Sequence, residues 1–238
     1  SLVMAGDVLV AQVENDSESF VAGLNKTTGS NLWKIDRPKS ANWTTATVRR
    51  DKAGQEQVLL QSGKGIHAVN PASGKVEWHY ADGAATIPSS ALAGEMLFVP
   101  SHGLTALKLG ADGKSFEQKW RSGRLRPGTA SPLVHGRKVY SLNNAGVLAC
   151  ADVDSGNRLW QLRLDGPFGG SPVVADNHMY IFSEEGLAQV VDLTAPEGKV
   201  VGKMDLGEMI QCSPAVSNGA LFVRSNGHIW KISRKTRL

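Results

Sequence analysis

Cysteine is almost missing from this chain: Cys150 and Cys212 are the only two in 238 residues. A pair of cysteines cannot supply a disulfide framework, so stability has to come from a buried apolar core. Long apolar runs are missing as well. The longest, Val147 to Ala151, has five residues, against the roughly 20 that a membrane-spanning helix needs. No stretch of ten or more residues repeats its apolar positions at helical spacing, which argues against helices. Neither charge sign dominates: 26 basic and 22 acidic residues leave a net charge of +4, spread along the chain. That balance gives no broad electrostatic footprint for nucleic acid. The one basic run, Lys231 to Leu238, reads as a solvated terminus. The chain opens Ser1-Leu-Val-Met-Ala-Gly with no signal peptide; it reads as processed or trimmed, so targeting segments say little about location.

Glycine and tryptophan are plentiful. Glycine contributes 26 residues, about 11% against a usual share of roughly 7%, so the chain turns often. Aromatic residues are only 6% of the chain, yet six of them are tryptophan. Four of these close similar phrases. They are Thr27-Thr-Gly-Ser-Asn-Leu-Trp33, Ala72-Ser-Gly-Lys-Val-Glu-Trp78, Asp112-Gly-Lys-Ser-Phe-Glu-Gln-Lys-Trp120 and Asp154-Ser-Gly-Asn-Arg-Leu-Trp160, spaced by 45, 42 and 40 residues. A second marker, Ser90-Ala91, Ser131-Pro132, Ser171-Pro172 and Ser213-Pro214, recurs at 41, 40 and 42. Two independent markers with one period define an internal repeat of about 42 residues.

Inside a repeat the pattern is strand-like. In the clearest copy, Ser131–His135, Val139–Leu142, Val147–Asp152 and Arg158–Arg163 are short runs rich in Val, Leu, Tyr and Trp. Gly136, Asn143–Gly146 and Asp154–Gly156 separate them. Such runs bounded by Gly, Asn, Asp and Ser are strands in successive hairpins. Segment 49–57 is a longer polar version of one of these turns.

Four-stranded units of this length are blades of a β-propeller. The chain is expected to be a single all-β propeller domain over 1–238, with units near 1–37, 38–82, 83–123, 124–165, 166–207 and 208–238. Trp33, Trp78, Trp120 and Trp160 are its structural docking residues, each covering the neighbouring blade. Gly202 stands in the tryptophan position of the fifth repeat, so its seam should be weaker. Trp230 is read as a packing residue on a third strand. Residues 3–35 are expected to give three strands, as are residues 211–233. The count is then about five and a half to six blades, as part of a seven- or eight-bladed propeller.

The phrases Ile66-His-Ala-Val-Asn-Pro-Ala-Ser-Gly-Lys-Val-Glu-Trp78 and Leu148-Ala-Cys-Ala-Asp-Val-Asp-Ser-Gly-Asn-Arg-Leu-Trp160 resemble the tryptophan-docking repeat of the PQQ-type, quinoprotein-like and BamB-like propellers. WD40 and kelch repeats fit less well: no Trp-Asp pair occurs, and a double glycine occurs once, at Gly169-Gly170. The resemblance covers nearly the whole chain. It implies one of two classes: quinone-dependent dehydrogenases, or non-catalytic scaffolds of the bacterial envelope.

The chemistry favours the scaffold. The dehydrogenases commonly use an adjacent cysteine pair beside the quinone, whereas Cys150 and Cys212 are 62 residues apart. Cys150 replaces the small alanine of other repeats and reads as core; Cys212 is expected to be buried. Asp36, Asp82, Asp165 and Asp205 recur because turns recur. The six histidines, His67, His79, His102, His135, His178 and His228, show no metal-ligand spacing. No catalytic, cofactor-binding or metal residue is therefore assigned. Pyrroloquinoline quinone and calcium enter only under the alternative of a quinoprotein oxidoreductase with part of its site outside this chain.

A binding surface remains. The connections after each tryptophan strand, 36–45, 80–90, 121–130, 163–170 and 205–212, are longer and more varied than the hairpins. Arg37, Trp43, Arg121, Arg124, Arg126 and Phe168 lie on them and are the candidate partner-binding residues. Basic groups among aromatics suit an acidic or extended peptide; the alternative is that Trp43 and Phe168 plug the central channel and the arginines are simply solvated. The expected protein is a monomer of the periplasm or cell envelope that binds protein or peptide and no nucleic acid.

Overall fold

The structure, a computed structural model, describes residues 2–233. Among these residues there is no helix, and every sheet is an antiparallel meander. The chain divides into two compact units, Ser1–Arg124 and Leu125–Leu238. The first holds three four-stranded sheets, over residues 2–36, 47–80 and 91–122. The second holds two four-stranded sheets, 133–163 and 173–205, and one of three strands, 215–233.

The burial pattern explains why these runs are strands. Val8–Val13 alternates buried Val8, Val10 and Gln12 with more exposed partners, the period of a half-covered strand. Third strands are buried on both faces: Leu104–Leu107 and Leu148–Ala151 are buried without a break. A strand covered on both sides reads as a continuous apolar run.

The fourth strand of each four-stranded sheet carries a feature that the sequence does not announce. Register places Trp33 opposite Gly23, Trp78 opposite Ala68, Trp120 opposite Ala106 and Trp160 opposite Cys150. In every case the register shifts immediately after the small residue. The residue before the tryptophan is the extra one, so a β-bulge precedes each indole. The fifth sheet keeps the bulge but pairs Val190 with Gly202.

Three of the indoles reach the next sheet of their own unit. An added Cβ at Gly74 would lie 2.7 Å from the Trp33 ring, and one at Gly198 would lie 2.4 Å from the Trp160 ring. Trp78 packs on Phe116 with ring centroids 5.1 Å apart. Gly74 sits at φ +70° in a turn that Asn70 organises by accepting the N–H groups of Ala72 and Ser73. Asn25 and Asp152 do the same in their turns, which accounts for the recurring Asx. The Trp33 indole N–H donates to the Pro71 carbonyl at 2.7 Å. The indole N–H groups of Trp78 and Trp160 are buried and have no hydrogen-bond partner among the described residues.

The Ser-Pro marker has a physical role. Ser171 Oγ accepts the Ser131 N–H, and Ser213 Oγ accepts the Ser171 N–H, each at 2.9 Å. In the first unit Ser89 Oγ accepts the Thr45 N–H at the same distance. Each hydroxyl thus ties its sheet to the preceding one. The equivalent residue in the third repeat is Ser89, not Ser90; Ser90 instead donates to the Gln61 side chain.

Three expectations are corrected. The first sheet has four strands, because Leu2–Ala5 pairs with Val8–Ala11; it lacks the Ser-Pro marker on which the strand count rests. The polar connection spans 51–55 rather than 49–57, because Arg49 is buried in its strand and donates to Gln57 Oε1 and the Gly110 carbonyl. Cys212 is half-exposed and precedes the strand Ala215–Ser217. Of the basic C-terminal run, Lys231–Ser233 is strand, and 234–238 lie outside the described residues. Trp230 lies on the third strand of the last sheet, and its indole N–H donates to Ser225 Oγ at 3.0 Å.

The inter-sheet hydroxyl bond is directly testable. Ser171→Ala strands the Ser131 N–H and should cost about 1–3 kcal/mol in equilibrium urea unfolding. Ser171→Thr, which keeps the hydroxyl, should recover most of the loss.

Candidate functional site

The six candidate residues divide between the two units, four in the first and two in the second. In the first unit, the connection after Trp33 is built on a buried ion pair. Arg37 Nε lies 2.6 Å from Glu14 Oε1, with side chains only 4% and 1% exposed. Glu14 also accepts from Gln12 Nε2 at 2.9 Å and Asn42 Nδ2 at 2.8 Å. Arg37 Nη1 meets His67 Nδ1 at 2.9 Å. A guanidinium only donates, so His67 Nδ1 must be the acceptor and Nε2 must carry the proton. Arg37 Nη2 is buried with no hydrogen-bond partner.

His67 stacks on His79 with centroids 3.9 Å apart. Burial first, and then the positive Arg37 and the neighbouring His79, lower the His67 pKa to about 4. The ring is therefore neutral at ordinary pH, which suits its role as acceptor.

This polar floor sets the position of Trp43. Asn42 Nδ2 donates to the Gln61 carbonyl at 2.8 Å, and Thr44, 2% exposed, donates to Asn42 Oδ1 at 3.0 Å. The Trp43 N–H donates to the Thr86 carbonyl at 2.8 Å. The backbone is held on both sides while the Trp43 side chain stands 68% exposed. Ile87, next to Thr86, is 46% exposed. Trp43 is thus a large apolar side chain presented on a pinned loop.

Arg37 is accordingly no surface residue. Arg121 is partly exposed and engaged: Nη2 lies 2.6 Å from Asp82 Oδ2 and 3.0 Å from the Tyr80 hydroxyl, and Nε lies 3.1 Å from Thr105 Oγ1. Arg124 is exposed.

In the second unit Arg126 is exposed, whereas Phe168 is 3% exposed within an apolar cluster that includes Leu142 and Leu164. Phe168 is core because its ring packs back on the preceding sheet, where an added Cβ at Gly146 would lie 3.6 Å from it. Glu208, which the sequence places on the 205–212 connection of the candidate binding surface, is a structural residue. Glu208 Oε2 accepts from Ser225 Oγ at 2.5 Å and the Gly227 N–H at 3.1 Å, and Oε1 lies 2.5 Å from His228 Nδ1. These hydrogen bonds, led by Ser225, hold its carboxyl below the usual carboxylate range. Glu208 therefore braces the 225–228 turn. Cys150 is fully buried opposite Trp160, and burial pushes its thiol up to about 11. Cys212 Sγ contacts the Arg224 carbonyl at 3.2 Å, and both cysteines are free. Among the described residues no three His, Cys, Asp or Glu side chains converge as metal ligands would.

Meanders of this kind, joined by longer connections, define the β-propeller class. The chain belongs to the PQQ_2 family, described as outer membrane protein assembly factor BamB, whose model matches residues 1–95 and 102–201. Among solved structures, BamB from Moraxella catarrhalis is similar with a TM-score of 0.74 at 16% identity, covering 94% of this chain and 68% of that one. The computationally designed Ika8 protein gives 0.72 at 12%, covering 97% and 70%. BBS1N, solved in complex with ARL6DN, gives 0.68 at 13%, covering 96% and 75%. At such identities the likeness concerns the fold. No curated protein sequence matches significantly.

Two predictions follow from the polar floor. Glu14→Leu alone leaves Arg37 buried without its counter-charge and should cost about 3–5 kcal/mol in chemical unfolding. Adding Arg37→Met should restore much of that loss. The second concerns pH. His67 holds its proton more weakly in the folded chain, about 4 against an ordinary 6.5. Between those values the unfolded chain binds more protons, so stability is full above pH 6.5 and falls as pH drops toward 4. Urea midpoints measured across that window should fall less in His67→Gln than in the parent.

Proposed function

We propose that this chain is a non-catalytic propeller that binds a protein partner through the connection loops of its first unit, in the bacterial envelope. The observation that carries the reading is Trp43: 68% exposed on a backbone anchored through Asn42, Thr44 and Thr86. An exposed aromatic whose backbone is already ordered binds with little further loss of entropy, which is how interface hot spots work. Arg124, exposed on a later connection of the same unit, adds a positive charge suited to an acidic segment. Membership of the family described as an outer membrane assembly factor supports the envelope setting. Among the described residues no helix is long and apolar enough to cross a membrane.

The residues at hand favour this reading over a site for pyrroloquinoline quinone with calcium. Calcium asks for several oxygen donors at one point, and among the described residues no three His, Cys, Asp or Glu side chains converge. Cys150 is sealed opposite Trp160, and Cys212 stands in the connection before another sheet. Neither can join an adjacent pair.

The test is a photo-reactive amino acid at position 43, installed in bacteria that make the chain, with position 52 as the exposed control. One dominant adduct at 43 that is absent at 52 is expected. Trp43→Ala should then weaken binding of the purified adduct partner by about 2 kcal/mol. Equal labelling at both positions, or dye-linked dehydrogenase activity once quinone and calcium are added, would overturn the reading.

A further inference from the structure

The fifth sheet departs from the repeat at one pair: Gly202 stands opposite Val190, where the other four-stranded sheets place an indole opposite Gly, Ala or Cys. The effect falls on the seam between the fifth and sixth sheets, both in the second unit. The preceding seam shows what a filled socket contains. Trp160 clusters with Tyr140 and Cys150 of its own sheet and with Val174, Met179 and Val191 of the next.

Strand register carries that socket forward by one sheet. Tyr140 pairs with Cys150 as Tyr180 pairs with Val190. Val174 pairs with Met179, which pairs with Val191; Val216 pairs with Leu221, which pairs with Ile232. Tyr180, Val216, Leu221 and Ile232 are therefore the equivalent walls. These four side chains line an open groove of about 640 Å³, within the range of roughly 300–1,000 Å³ common for ligand sites. Tyr140 is 1% exposed and Cys150 0%, whereas Tyr180 and Val190 are half-buried and Val216 is 46% exposed. A Cβ added at Gly202 would meet nothing closer than Val190 Cγ2, at 3.7 Å. The groove has these four apolar walls beside polar ones, Asp176, Asn218 and Lys231 among them, and Gly202 brings no ring to it.

We propose that this groove binds the indole side chain of a tryptophan carried by a partner polypeptide, against the counterparts of the side chains that pack on Trp160 one sheet earlier. Four of the walls name the occupant: Tyr180, Val216, Leu221 and Ile232 hold the register positions of Tyr140, Val174, Met179 and Val191, which close around an indole in the same unit, while Val190 stands where that socket has Cys150. A tyrosine on one wall and aliphatic side chains on the other offer a ring both an aromatic contact and apolar area. The site shares no residue with the Trp43 loop, so either proposal can fail without the other.

The experiment is a titration of the full chain, methyl-labelled at Val, Leu and Ile, with N-acetyl-L-tryptophan amide, followed by NMR. Saturable shifts are expected at Val216, Leu221 and Ile232, with N-acetyl-L-leucine amide binding several-fold more weakly. Gly202→Trp supplies the missing ring in cis and should weaken the probe's Kd by about tenfold or more. Val216→Glu at the exposed rim should do the same, with circular dichroism and melting temperature unchanged. If Gly202→Trp does not fold, the rim variant decides the matter. Absence of saturable shifts, equal binding of the leucine analogue, or undiminished binding to folded Gly202→Trp or Val216→Glu would each overturn the proposal.

Discussion

An indole laid across the seam between neighbouring sheets is the contact on which the rest of each unit depends. A lone four-stranded meander buries one face at best, and two or three sheets need a filler large enough to exclude water between them. Tryptophan is that filler. Truncating a buried one costs about 3–5 kcal/mol, a large share of the stability of a domain. The ring can lie flat only if the residue opposite is small, which is why Gly23, Ala68, Ala106 and Cys150 share a position. It can reach across only if its strand bends, and the bulge before each indole provides the bend. Small partner, bulge and glycine turn in the next sheet are thus three requirements of one side chain.

The hydroxyl ties at Ser89, Ser171 and Ser213 act at the opposite side of each sheet, just before its first strand. First strands are short, three residues at Leu133–His135 and at Val173–Ala175. So short a strand would leave backbone donors without partners beside the next sheet. A serine Oγ from that next sheet accepts one of them, and the proline after Ser171 and Ser213 removes a further N–H that would need a partner. The marker that reveals the period in the sequence is therefore a hydrogen-bond requirement made visible.

The sequence reveals most where a requirement recurs. Period, blade type and the four strands of the 131–163 repeat are legible because turns and indoles repeat at fixed spacing. The first strand, Leu2–Ala5, is not, because it lacks the serine-proline marker and has only Gly6 to turn it. The bulges are invisible because they change register without changing composition. The candidate site was legible only in part. Trp43 and Arg124 are exposed, but Arg37 and Phe168 are buried. A basic residue in a polar loop looks solvated until Glu14, 23 positions upstream, is found beneath it. That pairing is long-range, and no local pattern encodes it.

Trp43 and the uncovered fifth seam then have a common logic. In a repeat, each side chain is explained by its counterpart one period away, so the informative positions are those where the correspondence breaks. Gly202 breaks it by omission: the walls persist and the ring is gone. Trp43 breaks it by addition, since none of the other connections places a tryptophan there. Both leave apolar surface uncovered on a rigid frame, where water gains nothing from it and a partner does. The Arg37–Glu14 pair belongs to the same account. A buried ion pair is a poor source of stability compared with an apolar core, but it dictates geometry. Its direction-dependent hydrogen bonds hold Asn42 in one orientation, and so hold the residue after it facing out.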